Sequence, residues 1–366
     1  MKTRRLGLCL LAAAALSVGC GSGGGEGGEL TEADPKPKSK AAKAFNPFED
    51  LPPPKCPSRS EVIAVTLDAE AGAQNVGILM AEGRDFFTDA GLTVGVNGPV
   101  TPRRPVSYVT SGIDAIGVTQ QPQVVLAREE GAPIVAIGSV IPQPTAAMIW
   151  LRTSGIRDVA DLEGRTIALP GVPFQDDFLA AVLARAGLTL DDVDVKHANY
   201  KTVTALLQGK ADAIFGSWNI EGKALEAQGA EPVVKRVQSL GLPSYEELVV
   251  IAREECVRKH PEMMRDFMAA VARGTEAART HRKEAAERIA QYHDFDPEFS
   301  RKKLRAQLEA TLPLLAGSAH MDRARAARLT AWMHEEGMVE QEPPVGEMFT
   351  NDFLATDSGA QIDARR

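Results

Sequence analysis

Aromatic residues are scarce in this sequence, which has 3 Trp and 4 Tyr among 366 residues, so each of these side chains is worth tracing to its place in the fold. Histidine is scarce too, and none of the 6 histidines is paired closely with another histidine or with cysteine as metal sites require. There is no Gly-x-Ser-x-Gly elbow, no phosphate loop and no Gly-x-Gly-x-x-Gly turn after a strand. We therefore expect no metal, no cofactor and no catalysed reaction.

Two further absences restrict the partners. The formal net charge is −8 and no basic cluster follows residue 60, which argues against a nucleic-acid partner. Beyond the first twenty residues no segment approaches about 18 uninterrupted apolar residues, the length that spans a membrane. The sequence therefore predicts a soluble main domain, and we expect a monomer.

The amino-terminal segment has the pattern of an export signal. Basic residues precede a short apolar run and small residues, ending at Cys20. We predict a signal peptide over 1–19 and a lipid-modified Cys20 that anchors the protein in the cell envelope; an ordinary cleaved signal is the alternative. Residues 20–60 are rich in Gly, Lys, Glu and Pro and are predicted to form a flexible tether.

Four cysteines are present, and two of them remain once the leader and the anchor are set aside. Cys9 belongs to the leader, which leaves Cys56 and Cys256 as a candidate disulfide in an exported protein. Their separation in sequence does not decide whether their Cα atoms come close enough, so the bonded and the free state both remain open.

Short β-branched runs alternate with amphipathic helical stretches from residue 61, which indicates an α/β fold with mainly parallel sheets. The phrase "TSGIDAIGV" is echoed by "LQGKADAIFG", a weak internal repeat that favours two similar lobes over one continuous sheet. The chain becomes helical after residue 250. We predict lobe I over 61–145, lobe II over 146–245, the completion of lobe I with C-terminal helices over 246–355, and a tail over 356–366.

The segment "SWNIE" follows the predicted strand "ADAIF", and ligands of open α/β sheets bind beyond the carboxyl ends of strands. Trp218 could stack on a flat ring, and Asn219 and Glu221 could bond ring nitrogens or an amine. For Glu221 a plain structural role near a helix N-terminus is the equal alternative. The cluster as a whole favours a ligand site.

Other strand ends supply weaker candidates. In "PGVPFQDDF" a Gly-containing turn precedes a helix, but Asp176 and Asp177 occupy the positive end that an oxyanion would need. Phe174 could pack on an aromatic ligand or simply anchor the loop. The remaining candidates are polar residues at strand ends or crossovers: Thr119, Gln120, Gln121, Tyr200 and Tyr245.

Taken in order, several segments resemble the extracytoplasmic solute-binding proteins of ABC importers that carry thiamine pyrimidine precursors, with relatives for riboflavin, sulfonates and nitrate. The segments run from about residue 62 to 354 and include "GILMAEGRDFFTDAGLTV", "SGIRDVADLEGRTIALPGVP", "ALLQGKADAIFGSWNIE" and "GLPSYEELVVIA". The resemblance implies a two-lobed periplasmic binding protein of type II that closes on its ligand. It also implies an ABC transporter permease as the partner.

The resemblance also implies ligand-binding or cleft-lining roles for individual residues. It implies that Asn219 and Glu221 contact the ligand and that Trp218 lines the cleft. Gly171, Phe174 and Tyr245 match further cleft-lining segments. Pyrimidine-precursor binders usually have "DWxPNxNH" after the first strand, whereas this chain has "DAEAGAQN", so Ala69 replaces the stacking Trp and Asn75 the His. Gln74 and Asn75 remain polar there, and Gln120 joins them as a predicted contact.

The function predicted from sequence is capture of a small heteroaromatic compound, such as a thiamine pyrimidine precursor, for delivery to an ABC importer. A binder of an oxyanion such as sulfonate or nitrate is the first alternative. An exported enzyme is the second, because the fold also occurs in a eukaryotic pyrimidine-precursor synthase, whose cysteine-rich run is absent here. A partner-binding lipoprotein without a ligand is the third.

Overall fold

The structure is a computed structural model that describes residues 56–98, 104–293 and 300–354. The predicted signal peptide, the anchor Cys20 and most of the tether lie outside the described residues, as does the tail from 355. Within the described part of the chain, no helix is both long enough and apolar enough to cross a membrane.

Ten strands form two five-stranded sheets. Sheet I has the order β2-β1-β3-β10-β4, with β1 Val62–Thr66, β2 Thr93–Asn97, β3 Ile116–Thr119, β4 Ile134–Ile141 and β10 Leu248–Arg253. Sheet II has the order β7-β6-β8-β5-β9, with β5 Ala146–Leu151, β6 Thr166–Leu169, β7 Asp194–His197, β8 Ala213–Ser217 and β9 Pro232–Arg236.

Helices flank both sheets. They are α1 Val76–Gly83, α2 Phe86–Asp89, α3 Arg104–Ser111, α4 Gln121–Glu129, α5 Gln175–Ala184, α6 Thr202–Leu207, α7 Lys223–Ala227, α8 Glu254–Lys259, α9 Pro261–Thr280, α10 Arg282–Gln291, α11 Arg301–Thr311, α12 Arg323–Glu335 and α13 Val345–Met348. A single π-helical turn, Trp218–Gly222, joins β8 to α7. The predicted α/β class, with two sheets flanked by helices and a helical C-terminal part, is confirmed.

Each sheet is mixed, with four strands in one direction and one antiparallel strand. In sheet I the antiparallel strand is β10, which pairs with β3 and β4; in sheet II it is β5, which pairs with β8 and β9. These are the two strands that the chain enters on crossing from one sheet to the other. Their amino-terminal ends therefore lie at the edge where the parallel strands have their carboxyl ends.

The crossings are the segments 142–145, between β4 and β5, and 237–247, between β9 and β10. The first segment is short, so β5 begins near the carboxyl end of β4, at the edge where its neighbours β8 and β9 have their carboxyl ends. The predicted lobe boundaries at 145/146 and 245/246 fall at or near the ends of these segments and stay predictions.

Sheet I is buried on both faces. Along β10, Val250 and Ala252 pack into one hydrophobic cluster, with α1 and α9, while Val249 and Ile251 pack into another, with α4 and α12. Successive side chains of a strand point to opposite faces, so a strand covered on both sides has a continuous apolar run rather than an alternating one. This is why "LVVIA" shows no alternation.

Two features fix the helical layer on sheet I. Helices α1 and α9 approach so closely that a Cβ at Gly274 would lie 2.0 Å from the Gly77 carbonyl oxygen. The second feature is a disulfide between Cys56 and Cys256, whose Cα atoms are 5.1 Å apart, within the usual range. The structure thus contains the bonded form of the pair that the sequence left open.

Candidate ligand site between the two sheets

A cavity lies where the edges of the two sheets meet. It encloses about 40 Å³ that the centre of a water molecule can occupy. One buried water needs roughly 10–15 Å³ on this measure, so the space holds about three waters. Its lining comes from both sheets and from both crossings: Asp68, Gln74, Gln120, Ile141, Thr145, Ser217, Asn219, Ile220, Glu247 and Leu248.

Two carboxylates face this cavity. Asp68 lies two residues beyond the end of β1, and its Oδ1 accepts a hydrogen bond from Nδ2 of Asn75 at 2.7 Å. Glu247 directly precedes β10 and is 7% exposed; its Oε2 accepts the backbone N–H of Thr145 at 2.6 Å. The bond from Thr145 joins the two crossings between the sheets, so Glu247 is held at the point about which the sheets would move.

Loss of solvent dominates the electrostatics of both carboxylates. Burial raises the pKa of Asp68 to about 6, against smaller opposing effects of the hydrogen bonds from Asn75 and the loop. Burial also raises the pKa of Glu247 to about 7, and the charge of Asp68 adds to that shift. None of the described cavity-lining residues is Lys, Arg or His, so no lining cation offsets the two acids.

Glu246, the neighbour of Glu247, has a different environment. Its carboxylate accepts from Ser139 Oγ at 2.8 Å and lies 3.3 Å from Nη1 of Arg325. It also accepts the Asp322 N–H at 3.2 Å, beside the start of α12. Glu246 therefore holds α12 against β10, whereas Glu247 faces the cavity.

Amides and apolar side chains complete the lining. Gln74, Gln120 and Asn219 reach the cavity, and the faces between them are formed by Ile141, Ile220 and Leu248. Nδ2 of Asn219 donates to Thr311 Oγ1 at 2.8 Å, while its buried Oδ1 has no hydrogen-bond partner within the described residues. An unpaired buried carbonyl is costly, so a ligand N–H at this position would be stabilising.

Contacts across the cavity hold the two sheets together. The Tyr200 hydroxyl, on the sheet II side, donates to the Asp68 carbonyl oxygen at 3.0 Å. On the opposite side, Gln307 of α11 donates to the carbonyl of Ile220 at 3.1 Å, next to the bond between Asn219 and Thr311. These contacts bridge the same gap that a ligand would fill.

The residues predicted from sequence separate into two groups. Gln74, Gln120 and Asn219 line the cavity, and Asn75 is fully buried behind them with its amide on Asp68. The other group lies outside the lining: Gly171, Phe174, Trp218, Glu221 and Tyr245. Their roles in binding stay predictions, and their surroundings are as follows.

Trp218 packs on the sheet II side, where the guanidinium of Arg236 lies 4.1 Å from its ring centroid. Glu221 folds back so that its Oε2 accepts the Ser217 N–H at 2.7 Å. Loss of solvent raises the pKa of Glu221, and that hydrogen bond opposes the shift. Glu221 is thus bonded within its own turn, while Trp218 contacts β9, and the part of either residue in ligand binding stays a prediction.

The remaining candidates belong to an aromatic cluster. Phe174 and Tyr245 are both buried against Phe178, with ring centroids 4.7 and 5.7 Å from it. Burial, followed by the charge of Glu247, raises the pKa of the Tyr245 hydroxyl well above its usual value. Gly171 has φ +87° beside His197, so a residue with a Cβ would be strained there.

Sequence reasoning missed Asp68 and Glu247 as site residues. Asp68 could have been found, because it stands at the carboxyl end of a predicted parallel strand. Glu247 stands at the beginning of a strand, whereas that rule concerns only the carboxyl ends of strands. It reaches the cavity because β10 is antiparallel, which places Leu248 opposite Ile141 and Val249 opposite Thr119.

Comparison of the sequence with known proteins finds several relatives. A Haemophilus influenzae protein named for thiamine biosynthesis is 26% identical over 281 residues, which are 76% of this chain and 88% of that protein. The formylaminopyrimidine-binding protein of Halalkalibacterium halodurans is 29% identical over 217 residues, 59% of this chain and 66% of that protein. A Candida albicans protein named 4-amino-5-hydroxymethyl-2-methylpyrimidine phosphate synthase is 24% identical over 246 residues, 64% of this chain and 71% of that protein.

Among solved structures, the periplasmic aliphatic sulphonate-binding protein of Escherichia coli superposes with a TM-score of 0.64 at 17% identity, covering 80% of this chain and 99% of that chain. At this identity the likeness shows the fold alone, and it confirms the predicted two-lobed periplasmic binding protein fold. Residues 73–285 match the family described as NMT1/THI5 like, and this range is more than half of the chain. The protein therefore belongs to the NMT1/THI5-like family.

Proposed function

We propose that this protein is an extracytoplasmic solute-binding protein that captures a small nitrogen-containing aromatic ring of the thiamine pyrimidine-precursor class. The observation that carries the proposal is the cavity lining: two carboxylates, Asp68 and Glu247, three side-chain amides and no basic residue among the described lining residues. Such a lining is rich in hydrogen-bond acceptors. It suits a ligand whose edge presents N–H groups.

An aminopyrimidine matches the polarity of the lining. Its amino group and a protonated ring nitrogen are donors in the ring plane, while its two faces are apolar. The acceptors at Asp68, Glu247 and Asn219 would take the edge, and Ile141 and Leu248 would cover a face. Aliphatic cover in place of an aromatic sandwich is consistent with Ala69 where related binders have Trp.

An oxyanion such as a sulfonate or nitrate is disfavoured by the same residues. It would have to enter next to Asp68 and Glu247 without a lining cation, at a like-charge cost that low local polarity increases. The superposition with a sulphonate-binding protein has 17% sequence identity, so it shows a shared fold and not a shared ligand. The acceptor-rich lining therefore favours the heteroaromatic ligand over the anion.

Delivery to an ABC importer completes the proposal. A ligand in the cavity touches both sheets and so binds the closed arrangement better than an open one, which shifts the population toward closure. The closed form would be presented to a permease by a protein tethered to the envelope through Cys20. The relatives named as binding proteins support this role, and the ligand leaves unchanged.

The test is titration calorimetry of the full chain with 4-amino-5-hydroxymethyl-2-methylpyrimidine, thiamine, riboflavin, ethanesulfonate and nitrate. We expect binding of the aminopyrimidine and none of the two anions. The recovered ligand, analysed by mass spectrometry, should have its original mass. Binding of an anion with no response to any ring compound would overturn the proposal, and a converted ligand would favour the enzyme alternative.

A further inference from the structure

Two acids share one small cavity in this structure. Asp68 comes from the end of β1 and Glu247 from the start of β10, and both line the space between the sheets. Each already accepts one polar N–H, from Asn75 and from the Thr145 backbone respectively. Neutral N–H donors of this kind orient a carboxylate without cancelling its charge, so the cavity is an acidic environment for a ligand.

Resting on the proposed function, we propose that the ligand is bound as a cation, with a protonated amidine-type edge between Asp68 and Glu247, and that its binding is coupled to protons held by these two acids. The ligand class is thereby narrowed to rings in which an amino group adjoins a basic ring nitrogen. A ring with a carbonyl in place of the amino group would be a poor ligand.

The surroundings of the two acids favour their protonated forms in the protein without ligand. Both pKa values are raised by burial, to about 6 for Asp68 and about 7 for Glu247. The titratable groups that face them are Tyr200, on the Asp68 side together with Glu70, and Tyr245, on the Glu247 side. A basic side chain, His293, contacts the carbonyl oxygen of Ala71 in the loop that follows Asp68.

The proton balance fixes the pH dependence. Near neutral pH the empty site holds about one proton on the carboxyl pair, and a neutral aminopyrimidine accepts it on a ring nitrogen, forming a carboxylate and ring-cation pair. Above neutral pH that proton must come from solvent, so affinity falls as pH rises. In acid both carboxyls are protonated and the free ring is already a cation, so forming the same complex of two carboxylates and a ring cation releases two protons, and affinity falls again.

The experiment compares two probes that differ at one position: 4-amino-5-hydroxymethyl-2-methylpyrimidine and its analogue with oxygen in place of the 4-amino group. Titration calorimetry of the full chain is run from pH 5 to 8.5, in two buffers of different ionisation enthalpy at each pH. We expect at least tenfold tighter binding of the amino probe, an affinity maximum near pH 6 to 7, and apparent enthalpies that depend on the buffer on both sides of it.

Variants assign the effect to the two acids. Glu247→Gln and Asp68→Asn should each weaken the amino probe at least tenfold and change the number of protons exchanged. Glu226→Gln, on the exposed face of α7, and Asp89→Asn, on exposed α2, are matched controls that should leave both quantities unchanged. Circular dichroism checks that each variant is folded.

The outcomes separate this inference from the proposed function. Equal affinity for the two probes, with no dependence on pH or buffer, would overturn the cationic binding mode while leaving a heteroaromatic binder in place. If neither probe binds at any pH, the proposed function itself fails. Unchanged proton exchange in both Glu247→Gln and Asp68→Asn would also overturn the inference, since the proton would then reside elsewhere.

Discussion

Two segments at the meeting edge of the sheets each carry a half-buried or buried glutamate, and they use it differently. After β8, Glu221 turns back and accepts the Ser217 N–H at 2.7 Å within its own turn. Before β10, Glu247 accepts the Thr145 N–H of the other crossing at 2.6 Å and lines the cavity. The bonds are alike in length and type. What differs is whether the acceptor belongs to a local turn or to the junction of two sheets.

The comparison shows that a residue in a motif shared with a family need not line the cavity, and that a residue outside such a motif can. "SWNIE" carries the resemblance to pyrimidine-precursor binders, yet only Asn219 of its Trp218, Asn219 and Glu221 lines the cavity. "YEELV" has no striking composition, but it stands at a crossing and places a carboxylate where both sheets meet. Position relative to the crossings decides which glutamate faces a ligand, and the following predictions test that distinction.

The largest expected effect is on the pH dependence of stability. The pKa of Glu247 is raised from 4.5 to about 7 in the folded protein, so the folded state binds more protons than the unfolded state between these values. The free energy of unfolding should therefore fall as pH rises from about 4.5 to 7, by roughly 3 kcal/mol from this group. Asp68 acts in the same direction between 3.8 and about 6.

Urea unfolding of the free protein at pH 5 and pH 8 measures this slope, with the wild type compared with Glu247→Gln. The variant should lose less stability between the two pH values than the wild type does. Glu226→Gln is the exposed control. An identical slope in wild type and Glu247→Gln would show that Glu247 titrates alike in the folded and unfolded states.

The next effect concerns affinity. Glu247→Gln removes a charged acceptor from the cavity and should cost about 1.5–3 kcal/mol, which is roughly a 10- to 150-fold weaker Kd for the aminopyrimidine. Calorimetry at pH 6.5 provides the measurement. A Kd within twofold of the wild type would place the ligand away from this carboxylate and remove the central distinction between the two segments.

A smaller effect is expected at Glu221. In Glu221→Gln the amide oxygen can still accept the Ser217 N–H, so the turn should persist and the affinity should fall by less than about 1 kcal/mol, or roughly fivefold. The same titration decides the matter. A loss equal to that of Glu247→Gln would restore the sequence-based prediction that Glu221 contacts the ligand.

The smallest effect is expected at Trp218. Trp218→Leu removes the contact with the Arg236 guanidinium, worth about 0.5–1 kcal/mol of stability at a partly exposed site, and should alter affinity by no more than about twofold. Thermal unfolding and calorimetry on one sample separate the two quantities. A tenfold weaker Kd with unchanged stability would mean that Trp218 stacks on the ligand after all.

The alternation of strands and helices could be predicted from the sequence because most strands are short β-branched runs between amphipathic helices. Strands β5 and β9 were not anticipated. "AAMIWL" is a short apolar run without alternation, which a buried helix could equally present. "PVVKR" is an edge strand that begins with Pro232 and has little burial to mark it.

The site was only partly readable for a related reason. Gln120 and Asn219 follow strands whose direction the alternation implies, so the rule of carboxyl ends located them, whereas Gln74 was predicted from the family resemblance. Glu247 depends on β10 running antiparallel, and that direction follows from the return of the chain from sheet II to sheet I rather than from any local pattern. Whether Glu221 bonds its own turn or a ligand depends on how tightly the π-helical turn closes, which composition does not encode.

The most direct test of the central claim is a crystal structure of the protein with 4-amino-5-hydroxymethyl-2-methylpyrimidine bound. The account predicts that the ring lies between the sheets, with its amino and ring nitrogens within hydrogen-bond distance, about 2.7–3.2 Å, of the carboxylates of Asp68 and Glu247. A ring stacked on Trp218 with its nitrogens on Glu221, and the cavity at Glu247 left to water, would contradict it.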